Sequence, residues 1–448
     1  MGDKPIIVGP GTFFYYGQDT SSIDRKIRDK YTKVIVKDGC TRIDYMAFGG
    51  WRNLTSIIIP DSVESIGSYA FYYCEGLTSI IIPESVTSIG ASAFSGCSQL
   101  TSITIGNGIR SIGGNAFHSC PNLQYYVFDN GLYLGNDENP YVVLVKAIDD
   151  SITSCVVHEN TRIIFEFAFS SCSKLASLTI GNNIINIERG IFHWEANLQY
   201  NAFDNGLYLG NDKNPNVVLV KAIDESITSC LIHENTKLIY ESAFKGCSDL
   251  TSIIIPDSVT SIGESAFNDC SSLTSVVIPD SVTSIEDSTF YDCSSLTSVV
   301  IPDSVTSIGE SAFDGCSSLT SVTIPDSVAV IDRWTFGCCK GLTAISIPES
   351  VEYIGEKAFY SCSGLTTIVI PVSVTEIGDE AFRFCEGLTS VTIPKSVTSI
   401  GYAAFDECSS LTSIYYQGTK TQWKSIDGFN WVDSDEIEIH CSDGTIDD

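Results

Sequence analysis

The stretch from Leu250 to Cys316 reads LTSIIIPDSVTSIGESAFNDC, SSLTSVVIPDSVTSIEDSTFYDC and SSLTSVVIPDSVTSIGESAFDGC, which are three near-copies of one unit. The same spacing continues on both sides. Cysteines recur every 23 residues, at Cys247, Cys270, Cys293, Cys316, Cys339, Cys362, Cys385 and Cys408. A fixed period of this size predicts a stacked array in which each repeat contacts its neighbours.

The unit that begins at Leu54 illustrates the expected local structure. Its TSIII segment is short and β-branched, which predicts a strand, and Pro60 ends that strand because proline has no N–H for a ladder. A second short apolar run follows at 63–66. The segment that carries Phe71 and Cys74 is expected to form one helical or 3-10 turn with these two side chains inward. Stacking of such units would bury a continuous core behind one long parallel sheet.

This pattern resembles the BspA-like leucine-rich repeat family. The hallmark LxxIxIPxSVxxIGxxAFxxCxxL is present almost verbatim at Leu250–Leu273 and Leu296–Leu319, and the resemblance covers about residues 31 to 426. It implies an α/β solenoid, a leucine-rich repeat superhelix with one long parallel sheet and short helical or 3-10 turns opposite. It also implies surface adhesion or protein interaction, and not catalysis.

The repeats are expected to be flanked by terminal segments. We predict an N-terminal cap at 1–30, with Ser22 capping a short helix, a solenoid at 31–426 and an acidic tail at 427–448 whose end is mobile. Trp423 and Ile426 would cover the last repeat. The repeats start at Tyr31, Leu54, Leu77, Leu100, Ile152, Leu175, Ile227, Leu250, Leu273, Leu296, Leu319, Leu342, Leu365 and Leu388.

Two inserts interrupt the array, at about 123–151 and 198–226, and they are copies of each other. The Asp129-Asn130-Gly131 sequence predicts a tight turn between strands. Each insert is therefore expected to be a small β-meander that protrudes from the stack. Because the chain leaves and re-enters at equivalent repeat positions, we predict that the inserts are dispensable for folding.

The spacing of the seventeen cysteines follows the repeat period and is not typical of a disulfide framework. Twelve occupy the repeat cysteine position, at Cys74, Cys97, Cys120, Cys172, Cys247, Cys270, Cys293, Cys316, Cys339, Cys362, Cys385 and Cys408. Cysteine serves well as a small buried hydrophobe, which favours reduced inward thiols. Disulfides between neighbouring repeats remain the alternative, because strand spacing is compatible with disulfide geometry. The spacing does not match a zinc site.

The net charge of −30 argues against nucleic acid and acidic membrane surfaces as partners. Part of the charge is periodic and falls at one turn position, in Asp257, Asp280, Asp303, Asp326 and Glu349. We favour the interpretation that this acidic ladder is a solvated face that keeps the stack soluble. The functional alternative is a weak divalent-cation strip or a patch for basic partners.

Catalytic candidates are weak in this sequence. Four of the five histidines form two pairs of copies 75 residues apart (His118 with His193, and His158 with His233), which favours structural roles. The serines form ladders instead of a single nucleophile with a base. No phosphate-binding glycine loop is present. We therefore expect no enzyme activity, no cofactor and no metal centre.

The strand face is the most informative surface. If alternate strand residues point inward, the intervening ones form an outward stripe. Its members include Ile58, Ile81, Thr104, Ile254, Val277, Val300, Thr323, Val369 and Thr392. Packing between identical neighbours would explain the stripe as sheet stabilisation. A protein-binding face explains it equally well, since long exposed apolar strips mark interaction sites.

The preferred function is a non-catalytic protein-binding module in surface adhesion or host and cell interaction. The alternative is an intracellular scaffold. The sequence contains no run of 18 apolar residues, so we expect no transmembrane helix. The N-terminal segment MGDKPIIVGPGTFFYYG is not a convincing secretory signal. Family resemblance favours the cell surface, whereas the missing signal and the reduced-looking thiols favour the cell interior.

Overall fold

The computed structural model of the chain describes residues 11–18, 20, 23–192, 197–428 and 437–446. It divides into two compact units, Met1–Gln199 and Tyr200–Asp448. The boundary between these units does not coincide with the predicted boundaries of the cap, the solenoid and the tail. Those boundaries remain a prediction. Ser22 and His193 lie outside the described residues.

The first unit contains one short helix and many short strands. In chain order these are β1 (Thr12–Tyr15), α1 (Arg25–Arg28), β2 (Lys33–Val36), β3 (Arg42–Ile43), β4 (Ser56–Ile58), β5 (Ser65–Ile66), β6 (Ser79–Ile82), β7 (Ser88–Ile89), β8 (Ser102–Ile105), β9 (Ser111–Ile112), β10 (Tyr126–Phe128), β11 (Gly131–Leu134), β12 (Val143–Ala147), β13 (Ser154–Val156), β14 (Ile163–Ile164), β15 (Ser177–Thr179) and β16 (Asn186–Ile187).

The second unit has the same character. It contains β17 (Asn201–Phe203), β18 (Gly206–Asn211), β19 (Asn214–Ala222), β20 (Ser229–Leu231), β21 (Leu238–Ile239), β22 (Ser252–Ile254), β23 (Ser261–Ile262), β24 (Ser275–Val277), β25 (Ser284–Ile285), β26 (Ser298–Val300), β27 (Ser307–Ile308), β28 (Val330–Ile331), β29 (Tyr353–Ile354), β30 (Thr367–Val369), β31 (Glu376–Ile377), β32 (Ser390–Ile393), β33 (Ser399–Ile400), β34 (Ser413–Tyr416), α2 (Lys420–Trp423), β35 (Glu438–Cys441) and β36 (Gly444–Ile446).

Each repeat forms one coil of a parallel-strand solenoid, which confirms the predicted solenoid. Within both units the longer strands pair in parallel across one repeat, as β6 pairs with β8 and β24 with β26. The two-residue strands form a second parallel ladder, as β5 pairs with β7. The 23-residue period places the same residue of successive coils in register, so equal side chains stack on equal side chains.

The third side of each coil differs from the predicted helical or 3-10 turn. Along this side, the backbone N–H groups donate alternately to a carbonyl of the same coil and to a carbonyl of the next coil. The Tyr72 N–H donates to the Tyr69 carbonyl at 3.0 Å, whereas the Phe71 N–H donates to the Ala93 carbonyl of the following repeat at 2.8 Å. Residues such as Tyr69 and Tyr73 adopt positive φ (59° and 53°), which prevents a helix from continuing. A third hydrogen-bonded ladder replaces the helical turn.

The core is built from ladders of equal side chains. Phenylalanines at the repeat position stack almost parallel, with ring centroids 5.3 Å apart for Phe244 and Phe267 and 5.4 Å for Phe290 and Phe313. These rings are fully buried, as are Leu250, Leu273 and Leu296, which begin the repeats of the last three rings. Offset stacking of this kind adds to the burial of apolar area, so each coil gains most of its stability from its two neighbours.

The cysteines line this core as free thiols. None of the seventeen forms a disulfide; fifteen are buried, and Cys338 and Cys441 are half-buried. The Cys316 thiol donates to the Phe290 carbonyl of the preceding coil at 3.2 Å, and the same bond recurs in other repeats. Cysteine therefore fills a small apolar site and also satisfies a buried carbonyl, which confirms that the repeat cysteines point inward. Their reduced state stays a prediction.

The inserts are meanders, but the prediction that they protrude from the stack is wrong. In the first insert β11 lies antiparallel to β10 and β12, and β12 pairs in parallel with β14 of the next repeat, Val143 opposite Ile163. Side chains of both inserts are buried to 2 % exposure or less, among them Tyr133, Leu134, Val142, Val143, Leu144, Tyr208, Leu209, Val217, Val218 and Leu219. The insert strands therefore contribute to the core as an enlarged coil.

The strand face consists of several short sheets and not of one long sheet, and the first insert interrupts it after β8. Strand β13 begins a new ladder after the first insert, and turn side chains occupy its open edge. The Asp129 carboxylate accepts from the Val156 N–H at 2.7 Å, and the Asn130 amide donates to the Ser154 carbonyl at 2.8 Å. The second insert repeats both bonds. These side chains make the hydrogen bonds that a preceding strand would otherwise make.

Both ends of the chain add strands to the array. Strand β1 pairs in parallel with β2, and Phe13 packs edge-on against Trp51 with centroids 5.0 Å apart. Helix α2 follows the last full repeat, with the Trp423 ring 5.1 Å from Tyr416. Within the predicted tail, residues 437–446 form strands: β35 pairs in parallel with β34, and β36 folds back on β35. The mobility of the tail's end stays a prediction.

Candidate interaction surface

The outward positions of the longer strands form the predicted stripe, which we call the strand stripe. Ile58, Ile81, Ile254, Val277, Val300, Thr323 and Val369 are exposed, and Thr104 and Thr392 are half-buried. Ile81 remains 68 % exposed and Val277 64 % exposed, although each has a paired neighbour in its ladder. Packing between neighbours therefore leaves most of each side chain open to solvent.

The inserts explain why one member of the strand stripe is less exposed. Thr104 forms a parallel bridge with Gly135 of the first insert, and the Ile105 N–H donates to the Gly135 carbonyl at 2.9 Å. The insert thus covers the end of one segment of the stripe.

A threonine column runs beside the strand stripe. The Thr101 hydroxyl donates to the Thr78 carbonyl at 3.0 Å, and Thr297 and Thr389 make the same bond to the threonine one repeat earlier. These bonds hold the side chains along the ladder direction. The surface is therefore an ordered alternation of apolar and hydroxyl rows, whose contact with a partner requires little side-chain ordering.

The acidic ladder lies at the surface. Asp257, Asp280, Asp303, Asp326 and Glu349 are all exposed. Within the described parts of the chain, none of the five forms an ion pair, and no three His, Cys, Asp or Glu side chains are grouped so as to hold a metal ion. A cation strip would thus depend on pairs of carboxylates in adjacent coils.

Two other surfaces were not recognised in the sequence. In the second unit, Arg333 lies between Glu310 and Glu356 at 3.2 and 3.5 Å, and Arg383 contacts Asp406 at 3.2 Å. In the first unit, exposed or half-buried tyrosines of the turn side contact one another, at Tyr45, Tyr69, Tyr72 and Tyr73. Both groups occupy variable positions of the repeat. For the charged group, opposite charges 23 residues apart were the available signal.

The histidine, cysteine and aspartate side chains that could serve in catalysis pack against other side chains of the fold. The His158 ring stacks on Tyr141 at 4.0 Å, and burial lowers the pKa of His158. The half-buried Cys338 lies beside Asp314, and burial together with that carboxylate raises the pKa of the Cys338 thiol, which disfavours the nucleophilic thiolate. Burial and the nearby Asp292 raise the pKa of Asp314 to about 6.

No helix within the described ranges combines the length and apolar character that a bilayer span requires.

Comparison with solved structures gives several repeat proteins. The chain is similar to a leucine-rich repeat protein of Bacteroides ovatus, with 28% identity over 90% of this chain and 87% of that one and a TM-score of 0.44. It is also similar to a leucine rich cell surface protein of Faecalibacterium prausnitzii, with 24% identity, 93% of each chain covered and a TM-score of 0.32. No curated protein matches the chain.

The family model for the BspA type leucine rich repeat region matches residues 27–137, 148–211, 223–343 and 331–440. These ranges include the repeats that carry the strand stripe and the phenylalanine and cysteine ladders. Leucine-rich repeat proteins generally act as protein-interaction or adhesion modules and are generally non-catalytic. The chain belongs to the BspA-type leucine-rich repeat family.

Proposed function

We propose that this protein is a non-catalytic protein-binding module that acts in surface adhesion or in host and cell interaction. The observation that carries the proposal is the strand stripe, whose β-branched side chains stay largely exposed after the coils have stacked. Exposed apolar side chains that recur on successive coils within a unit are expected to serve an interaction, because they otherwise favour aggregation. Binding would consist of many weak contacts along the rows.

The test is a pull-down with the purified chain and a variant of the strand stripe. Val277→Lys with Val300→Lys places two charges on adjacent coils, so we expect capture of the partner to fall at least tenfold. A matched control puts the same charges on the exposed positions Thr283 and Ser307 of the same coils. Equal loss in both double variants, or no loss in the first, would contradict binding through the stripe.

A second candidate is an intracellular scaffold, which the seventeen free thiols support, since disulfides are rare in reducing compartments. Labelling the intact protein with an antibody on unpermeabilised cells separates the two. Surface labelling supports adhesion, whereas labelling that appears only after permeabilisation supports the scaffold.

A further inference from the structure

The first insert presents a strand edge that the stacking of repeats does not use. Its five-stranded sheet has the order β10-β11-β12-β14-β16, so β10 is an edge strand. Among the described residues β10 pairs with β11 and with no other strand. This edge belongs to the insert, which makes it separate from the strand stripe.

The backbone of β10 has groups that point away from β11. The hairpin pairs Phe128 with Gly131, Val127 with Leu132 and Tyr126 with Tyr133 across a two-residue turn. In an antiparallel pair, hydrogen-bonded and non-hydrogen-bonded residue pairs alternate, and the pair next to a two-residue turn is bonded. The N–H and C=O of Val127 are therefore directed to the outer edge, where an added strand could bond to them.

The side chains of this edge do not protect it. Tyr126 is 44 % exposed and Val127 is 54 % exposed. Natural edge strands usually carry a charge, a proline or a bulge that prevents pairing with another chain, and the Tyr126–Phe128 strand has neither a charge nor a proline.

The second insert supplies an internal comparison. Its β17 forms the same hairpin in the same register, with Asn201 opposite Tyr208 and Phe203 opposite Gly206. Asn201 and Ala202 replace the two exposed apolar residues, and the Asn201 amide donates to the Pro215 carbonyl at 3.0 Å. The hairpin therefore does not require the exposed tyrosine and valine of the first copy.

We propose that the β10 edge is a docking site for an extended peptide segment of a partner protein, which adds as a further strand. The segment would be free of proline, with β-branched residues on both faces, so that one face packs beside Tyr126 and the other beside Val127. Flanking lysine or arginine residues would complement a chain whose net charge is −30. The same charge disfavours a second copy of this protein as the occupant.

The probe is a labelled peptide, Lys-Arg-Val-Thr-Val-Thr-Val-Lys-Arg, titrated with the full chain at low and moderate salt. We expect saturable binding and slower hydrogen exchange at the Val127 amide in the complex. The substitution Val127→Pro removes the outward N–H at a position where an edge strand tolerates proline, and should weaken binding at least tenfold. Tyr126→Asn with Val127→Ala, the residues of the second hairpin, should also weaken it.

The matched control is Ala202→Pro, the same change in the second hairpin, which should leave the affinity unchanged. Thermal melting of each variant verifies that it folds. Failure of the wild-type chain to bind, or equal affinity of the wild-type and Val127→Pro chains, would overturn the proposal. Concentration-dependent self-association that Val127→Pro abolishes would also overturn it, because the occupant would then be a second copy. None of these outcomes depends on the strand stripe.

Discussion

At the scale of single residues, Asp314 is the carboxyl group whose environment has the clearest consequence. It is half-buried beside Cys338, and its pKa is raised to about 6, first by burial. In the unfolded chain an aspartate releases its proton near pH ~3.9. Between about pH 4 and pH 6 the folded state therefore binds more protons, and the free energy of unfolding contributed by this group falls as pH rises.

We predict that Asp314→Asn raises the melting temperature above pH 6, because it removes a charge that folding desolvates. The gain over the wild type should shrink as the pH falls from 6 towards 4, because the folded carboxyl is then protonated and the unfolded carboxyl begins to bind its proton. Melting curves from pH 4 to pH 8 test this. The exposed Asp326→Asn serves as control, and a gain of equal size at every pH would contradict the assignment.

The thiols give a second prediction at this scale. Burial raises the pKa of Cys120 to about 11 and that of Cys293 to about 12, so both thiolate formation and access are disfavoured. We expect a native thiol titration to find about two accessible groups, the half-buried Cys338 and Cys441, and denaturation to release nearly all the others. Few free thiols after denaturation would show that the ladder is oxidised in the cell.

At the scale of elements, the inserts are the features whose role changed most between sequence and structure. Their second and third strands carry buried side chains, and β12 continues a ladder of the array. Deletion of residues 123–151 should therefore prevent cooperative folding of the first unit, contrary to the expectation that the inserts are dispensable.

A single substitution tests the same point more gently. Leu144 in β12 is fully buried, so Leu144→Ala should lower the free energy of unfolding by about 2–5 kcal/mol through lost burial and a cavity. Ile148 follows the same strand but is 48 % exposed, and Ile148→Ala should change stability by no more than about 0.5 kcal/mol. Chemical denaturation measures both, and equal effects would mean that the insert packs loosely.

At the scale of the whole molecule, the net charge of −30 opposes compaction. Carboxylates of the acidic ladder in adjacent coils lie about 5 Å apart if they follow the strand spacing, where two charges repel by about 0.8 kcal/mol in water. Each pair contributes little, but interior members have a like charge on both sides. Screening by salt should therefore stabilise the array.

We predict that sodium chloride raises the melting temperature of the wild-type chain. Calcium at matched ionic strength tests the cation strip, because specific coordination would add a further increase. The double variant Asp280→Asn with Asp303→Asn is the control, since it should abolish a calcium-specific increment that arises on the acidic ladder. Coincident curves with and without calcium would leave screening alone and remove the cation strip.

The sequence by itself determined the solenoid, the inward residues and the outward stripe. This was possible because a 23-residue period repeats one local solution many times, and each copy has nearly the same neighbours. Leu250, Phe267 and Cys270 are buried where the repeat predicts, and Val277 is exposed. Alternation of inward and outward residues depends only on strand geometry, which is a local property.

Only the tertiary structure decided what happens where the repeat is broken or where coils meet. A third ladder forms in place of the predicted helical turn because the Phe71 N–H donates to a carbonyl of the next coil. No single repeat contains both partners of that hydrogen bond. The inserts are part of the core because β12 pairs with β14. At the open edge of β13, the Val156 N–H donates to the carboxylate of Asp129, which lies far from it in the sequence. These outcomes depend on contacts between segments, which local sequence patterns do not specify.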